Sequence, residues 1–192
     1  MNKYSSNFPR PADILLSRAP LPLYDKIILH MESIIITPQA FLEHWQGHRR
    51  LTRRVIEALP EDKLFTYSVG GMRPFSDLAL EMIHMAAGGV QGMATGQWTN
   101  AGALGHRSGA PAPETSEAIL ALWDEVTRQI DNLWPQIPQG RFQEIDKVFN
   151  AYEGPVWGGL FYLVDNEVHH RGQGYVYLRS LGIAPPAFWE RD

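Results

Sequence analysis

The 192-residue chain contains no cysteine. That excludes disulfides, thiolate metal sites and a cysteine nucleophile, so any transition-metal site must draw on His, Asp, Glu, Asn or water. It also lacks a long hydrophobic run. The stretch Ile27 to Ile36 is interrupted by His30 and Glu32 and is too short to span a bilayer. The segment from Met1 to Arg10 is polar and lacks the apolar stretch of a secretory signal, which makes the cytoplasm the expected location. Basic charge is in deficit, 17 Lys+Arg against 21 Asp+Glu for a net charge of -4, so the electrostatic footprint of a nucleic-acid binder is missing. The local cluster Arg49, Arg50, Arg53 and Arg54 reads as a solvated helix face. No G-x-S-x-G elbow, P-loop or G-x-G-x-x-G after a strand occurs, which leaves serine-hydrolase and nucleotide-dependent chemistry without support. There is no internal repeat, low-complexity tract or evident linker.

What the chain does have is enough apolar material for a core, with 44% hydrophobic residues, in a length that suits one domain. Residues 1–37 carry Pro9, Pro11, Pro20 and Pro22 and read as an irregular arm. Within them Asp25 to Ile36 could be strand or buried helix. From residue 38 onward the punctuation is helical. Thr37-Pro38 is a cap and first-turn pair, the apolar residues Phe41, Trp45, Leu51, Val55 and Leu59 recur at helical spacing, and Leu59-Pro60 ends the run. Residues 61–71 read as a loop, and a second helix starts near Pro74 with Asp77 in its first turn. Inside it, Gly88-Gly89 marks a kink or a close helix contact. The glycine-rich stretch 96–113 reads as a loop. Thr115 or Ser116 caps a third helix that Pro135 closes, and residues 140–154 are ambiguous. The last helix runs from Pro155 to about Ser180, with Gly182 as its terminating residue. It is apolar on more than one side, which suggests packing both within the protomer and against a second copy in a homodimer. The expected fold is all-α, an up-down four-helix bundle over 38–192 preceded by the arm 1–37.

Polar residues form four constellations. Asn166 and His170 are i and i+4 on the last helix, so their side chains meet on one face. Glu81 and His84 stand i, i+3 on the second helix and could converge on one ion. His44 and His48 have the HxxxH spacing that two imidazoles need to clip zinc or nickel, although surface or pocket-lining histidines satisfy the same pattern. The arginine cluster is the fourth.

The stretch His169-His170-Arg171-Gly172-Gln173, followed by Tyr177-Leu178-Arg179, Leu181-Gly182-Ile183 and Pro185-Pro186, resembles the final helix of DinB-family proteins. Phe41 to Pro60 resembles that family's first helix, and Gly71-Met72-Arg73-Pro74-Phe75-Ser76-Asp77-Leu78 its approach to the second. The resemblance covers roughly residues 38–186. It implies a four-helix bundle, often dimeric, in which one histidine of the second helix and an HxxxH pair of the last bind a divalent metal. Carried over, the last-helix pair falls on Asn166 and His170, and the second-helix ligand falls on Glu81, with His84 as the alternative register. Only His170 keeps a usual ligand. Asn166, His84 or His48 would have to complete a Glu81–His170 site for zinc or nickel, and the alternative is a metal-free site with Glu81 hydrogen-bonded to Asn166 or His170. The functional expectations are correspondingly two. One is a metal-dependent hydrolase or thiol transferase acting on a small molecule, with Glu81 as general base if it is not a ligand. The other is a metal-free, non-catalytic binding or stress-response protein on the same bundle. Nucleic-acid binding would rest on the arginine cluster alone.

Overall fold

The computed structural model describes residues 35–107, 109 and 111–192. The expectations for residues 1–34 lie outside these, and the compact unit considered below is Pro38–Asp192. It is mostly helical. Helix α1 spans Pro38–Ala58, α2 Glu61–Thr66, α3 Phe75–Thr95, α4 Ser116–Leu133 and α5 Val156–Ser180. A two-stranded antiparallel sheet, β1 Ile145–Val148 and β2 Tyr152–Pro155, lies between α4 and α5. Among the described residues no helix is long and apolar enough to cross a membrane.

The helix ends follow the local chemistry. Thr115 caps α4 by accepting a hydrogen bond from the Ala118 amide at 3.2 Å, satisfying one of the free donors of the first turn. At the other end of α5, Gly182 adopts φ 76°. Its amide bonds the Arg179 carbonyl at 3.0 Å, and the Ile183 amide reaches back to Leu178 at 2.8 Å, the paired closure of a Schellman motif. Two expectations need correction. Residues 61–71 are not all loop, because Glu61 and Asp62 supply the acidic first turn of α2 and Leu64 is buried. The ambiguous stretch 140–154 contains most of a hairpin, with Val148 opposite Tyr152. Phe149 and Asn150 turn it with φ 53° each, so the expectation of an entirely α-helical fold gives way to a mostly helical one.

The four long helices pack in a ring: α3 on α4 and α5, and α1 on α5 and α4. The contacts give their directions. Gly174 lies against Phe75 and Gly89 against Leu163, so α3 and α5 are antiparallel. Phe41 meets Phe161 and His48 meets Arg171, so α1 and α5 run parallel. Gln46 meets Asp131 and Arg53 meets Asp124, so α4 opposes α1. Helices α3 and α4 are therefore parallel neighbours, and the expected simple up-down alternation does not hold. Residues 96–115 are the long return that parallel neighbours require. This return is anchored. Leu104 is buried, and the Trp98 ring sits so close to Gly92 that a Cβ there would come within 2.1 Å of it.

The core is apolar, with Trp45, Phe75, Ile83, Ile119, Trp123 and Leu178 fully enclosed, but a charged cluster crosses it. Arg49, expected on a solvated face, is 0% exposed. Its Nε donates to Thr127 Oγ1 at 2.8 Å and its Nη2 to the Trp123 carbonyl at 3.0 Å, and its guanidinium lies 3.8 Å from the centre of the Trp123 ring. Its Nη1 stands 3.8 Å from the buried Glu167 carboxylate. Glu167 also accepts from Thr52 at 2.7 Å and faces Arg171 at 3.9 Å. Burial pushes Glu167 up and lowers Arg49 to about 10, which still leaves the arginine charged at neutral pH. The other arginines of the cluster are engaged too: Arg53 with Asp124 at 2.8 Å, Arg50 with the Arg191 carbonyl at 2.9 Å, and Arg54 with the Glu190 carbonyl.

Removing one member of a buried ion group strands the others. Arg49→Ala is expected to cost about 3–5 kcal/mol in urea unfolding, against less than about 1 kcal/mol for the exposed Arg50→Ala. Equal losses for the two would show that the Arg49 cluster contributes nothing beyond a surface contact.

Candidate functional site

The site is built between α3 and α5. Glu81 projects from α3, three residues into its second turn, and Asn166 and His170 project from one face of α5. His170 Nε2 lies 3.1 Å from Glu81 Oε1, and Asn166 Nδ2 donates to the same oxygen at 3.2 Å. Arg73, from the segment that leads into α3, donates to Glu81 Oε2 at 2.6 Å. Tyr177 fixes that segment by donating to the Arg73 carbonyl at 2.7 Å. The second imidazole nitrogen of His170, Nδ1, meets Gln173 Oε1 at 3.0 Å. The Glu81 and His170 side chains are 14% and 8% exposed, so the pair is shielded while Arg73 remains at the surface.

The electrostatics follow. Hydrogen bonds from His170, then Arg73 and Asn166, hold the Glu81 carboxyl well below the usual carboxylate range, outweighing the opposing effect of burial. An ionised carboxylate only accepts, so the hydrogen bond between His170 and Glu81 has its proton on Nε2. Glu81 is the α3 residue that meets the α5 pair. His84, one turn further, instead faces the return segment, its ring stacked on His106 at 5.9 Å and 16°. Gly105 permits this approach, since a Cβ there would lie 2.5 Å from His84 Nε2. Burial lowers both imidazoles.

His48 is in a different place. Arg171 donates to its Nδ1 at 2.9 Å, while its Nε2 lies 3.2 Å from both His44 Nε2 and Arg191 Nη1. Burial, followed by the charges of Arg171 and Arg191, lowers His48 to about 3. Its contacts join it to the Glu167 cluster rather than to Glu81. Beside the Glu81 network a cavity of about 630 Å³ opens between the first turns of α3 and α4, with Arg73, Asp77, Leu80, His84, His106 and Leu122 among its walls. Arg73 belongs to both features. Neither it nor His106 was singled out as a site residue in the sequence. Arg73 precedes its helix and His106 lies in a glycine-rich stretch, so no periodic pattern marks either one.

The DinB family model matches residues 32–192. The chain belongs to the DinB family. Two solved structures have the same fold. A DinB-like protein from Bacillus cereus ATCC 10987 gives a TM-score of 0.63 at 18% identity, covering 79% of this chain and 97% of that one. A DinB-like protein from Bacillus subtilis, YjoA, gives 0.62 at 16% identity, covering 79% and 99%. No curated protein matches the chain.

The metal expected from the DinB resemblance can be tested against this donor set. A three-donor group of His, Asp, Glu or Cys suited to an ion is absent among the described residues. At the expected position one imidazole, one carboxylate and one amide converge, and the carboxylate is already neutralised by a guanidinium. The residues present do not fit a three-histidine site. The His44–His48 pair is flanked by Arg171 and Arg191, whose charges oppose a cation there.

Glu81 titrates below its unfolded value, so it stabilises the fold above the ordinary carboxylate range of about 4.3 and the stabilisation is lost as pH falls below it. The melting temperature of wild type is expected to exceed that of Glu81→Gln at pH 7, with the gap closing progressively below about pH 4. A gap that does not vary with pH would show that the carboxylate charge is not what holds α3 to α5.

Proposed function

We propose that this DinB-family chain is a metal-free small-molecule-binding protein on a bundle of four helices. The ligand enters the cavity beside Arg73, whose guanidinium links the cavity wall to the Glu81–His170 pair. The observation that carries this reading is the engagement of Glu81 by its neighbours. Both oxygens are engaged, one by Arg73 at 2.6 Å and the other by His170 and Asn166 at 3.1 and 3.2 Å. A carboxylate held so far below its usual range is a weak proton acceptor near neutral pH, which favours a positioning role for Glu81 over that of general base. The cavity, about 630 Å³ with mixed apolar and polar walls, is of the size that small-molecule sites take. The engagement of Arg49, Arg53, Arg50 and Arg54 within the fold argues against a free basic stripe for nucleic acid.

The rival reading is a metal-dependent hydrolase or thiol transferase. It is favoured by one observation: Asn166 Oδ1 is buried without a hydrogen-bond partner among the described residues, on the side chain whose amide nitrogen faces Glu81. Metal analysis of protein purified without an affinity tag separates the two. The metal-free reading expects less than about 0.1 equivalents of zinc or nickel, and a melting temperature unmoved by a tenfold excess of either ion. Stoichiometric metal, or a rise of several degrees, would favour the enzyme and end the metal-free reading.

We further infer a homodimer formed through α5. Trp157, Phe161, Val168 and Val176 are 46%, 44%, 41% and 47% exposed on that helix, more large apolar surface than an isolated helix face usually leaves in water. Light scattering after size exclusion is expected to give about twice the 21.7 kDa chain mass. Phe161→Glu is expected to return it to the monomer. A monomeric wild type at micromolar concentration contradicts the inference.

A further inference from the structure

We propose that Arg73 is the resident cation of the site, a guanidinium standing where a divalent ion would engage Glu81 and excluding that ion from it. The proposal rests on the metal-free reading above and names the residue responsible for it. Three observations carry it. First, the remaining donors keep the spacing of a metal site. Glu81 Oε1 lies 3.1 Å from His170 Nε2 and 3.2 Å from the Asn166 amide, and two ligands of one ion at roughly 2.0–2.2 Å stand about 3 Å apart. Second, the support behind the imidazole is that of a ligand. Gln173 holds Nδ1 at 3.0 Å, fixing the ring so that Nε2 faces the shared point. The buried Asn166 Oδ1, without a partner among the described residues, becomes a third donor when the amide turns over. Third, the charge that an ion would bring is already supplied. Arg73 Nη2 holds Glu81 Oε2 at 2.6 Å, so a divalent ion on the same carboxylate would meet a positive neighbour within a few ångströms and an acceptor already committed.

Arg73 is also the member of this network that can be removed without emptying the core. Its side chain is 47% exposed and lines the cavity, and it is joined to the fold through its backbone carbonyl by Tyr177. Glu81, Asn166 and His170 would stay on their helices. The side chain of residue 73 therefore decides whether the Glu81 carboxylate takes a metal ion or a guanidinium.

The test compares untagged wild type, Arg73→Met, Arg73→Lys and the double variant Arg73→Met, His170→Ala. Methionine keeps the aliphatic stem and removes the charge, and lysine keeps the charge. Each is titrated with cobalt(II) and with zinc, reading visible cobalt absorption and the thermal midpoint, after circular dichroism confirms the helical fold. Arg73→Met is expected to take one equivalent of cobalt with at least tenfold higher affinity than wild type. Arg73→Lys should resemble wild type, and the double variant should lose what Arg73→Met gained. If neither wild type nor folded Arg73→Met binds, Arg73 is not the cause of exclusion and this inference falls, while the metal-free reading stands. If wild type and Arg73→Met bind equally, both fall. If Arg73→Met does not fold, stoichiometric binding by Arg73→Lys overturns the proposal and its absence, with wild type also unbound, upholds the charge argument.

Discussion

The contact on which the site depends is the hydrogen-bonded ion group that joins α3 to α5 through the Glu81 carboxylate. One side chain from each helix would make a simple polar bridge. Here α5 contributes two, His170 and Asn166, and a further participant, Arg73, comes from outside both helices and ties the approach to α3 into the same group. A carboxylate buried to this degree is stable only with compensation. The compensation is divided, with the ring proton of His170 and the Asn166 amide on one oxygen and the guanidinium on the other. Both oxygens of Glu81 are therefore engaged, one from each side of the helix seam.

The same helix serves a second polar system one residue along. His170 faces α3, while Arg171 faces α1 and reaches His48 and Thr52. Asn166 and Glu167 divide in the same way, because successive residues on a helix point about 100° apart. The segment 166–173 thus supplies both the cavity-side network and the charged cluster that crosses the core. The two networks differ in character. Glu167, Arg49 and Arg171 are enclosed, and losing a partner leaves a stranded charge. The Glu81 network opens at Arg73 to a water-accessible cavity, where a side chain can be exchanged for a ligand or another residue at lower cost.

Much of this was legible in the sequence, because helices announce their ends. Thr115, Pro74, Pro155 and Gly182 stand where local backbone chemistry demands them, and the elements they bound were read within a residue or two. The meeting of Asn166 and His170 followed from i, i+4 spacing, and their partner Glu81 came from the family resemblance. Other features leave weaker signals. Arg49 was read with its neighbours as solvated, although 45, 49, 52 and 56 share one stripe with Trp45 and Ile56, and that stripe was available as a signal. The hairpin escaped because its strands are four residues each and its turn, Phe149-Asn150, has no glycine. Helix directions have no signature in the helical periodicity itself. The length of 96–115 was the clue, since an antiparallel neighbour needs only a few residues to reach. Arg73 lies in the stretch that carries the family resemblance, but its role exists only once α3 and α5 are side by side.

The spacing of α3 and α5 is set by missing atoms. Above and below the Glu81–His170 contact the two backbones are drawn together at glycines. Leu163 fills the place of a Cβ on Gly89, and Phe75 that on Gly174, at 2.4 and 2.6 Å. These two notches act as the gauge of the site. They fix how far a glutamate and a histidine must reach, and they do so from positions two turns and one turn away that touch no ligand. A methyl group at either notch would have to displace the Leu163 or Phe75 side chain that fills it, repacking the seam on one side of the Glu81–His170 contact.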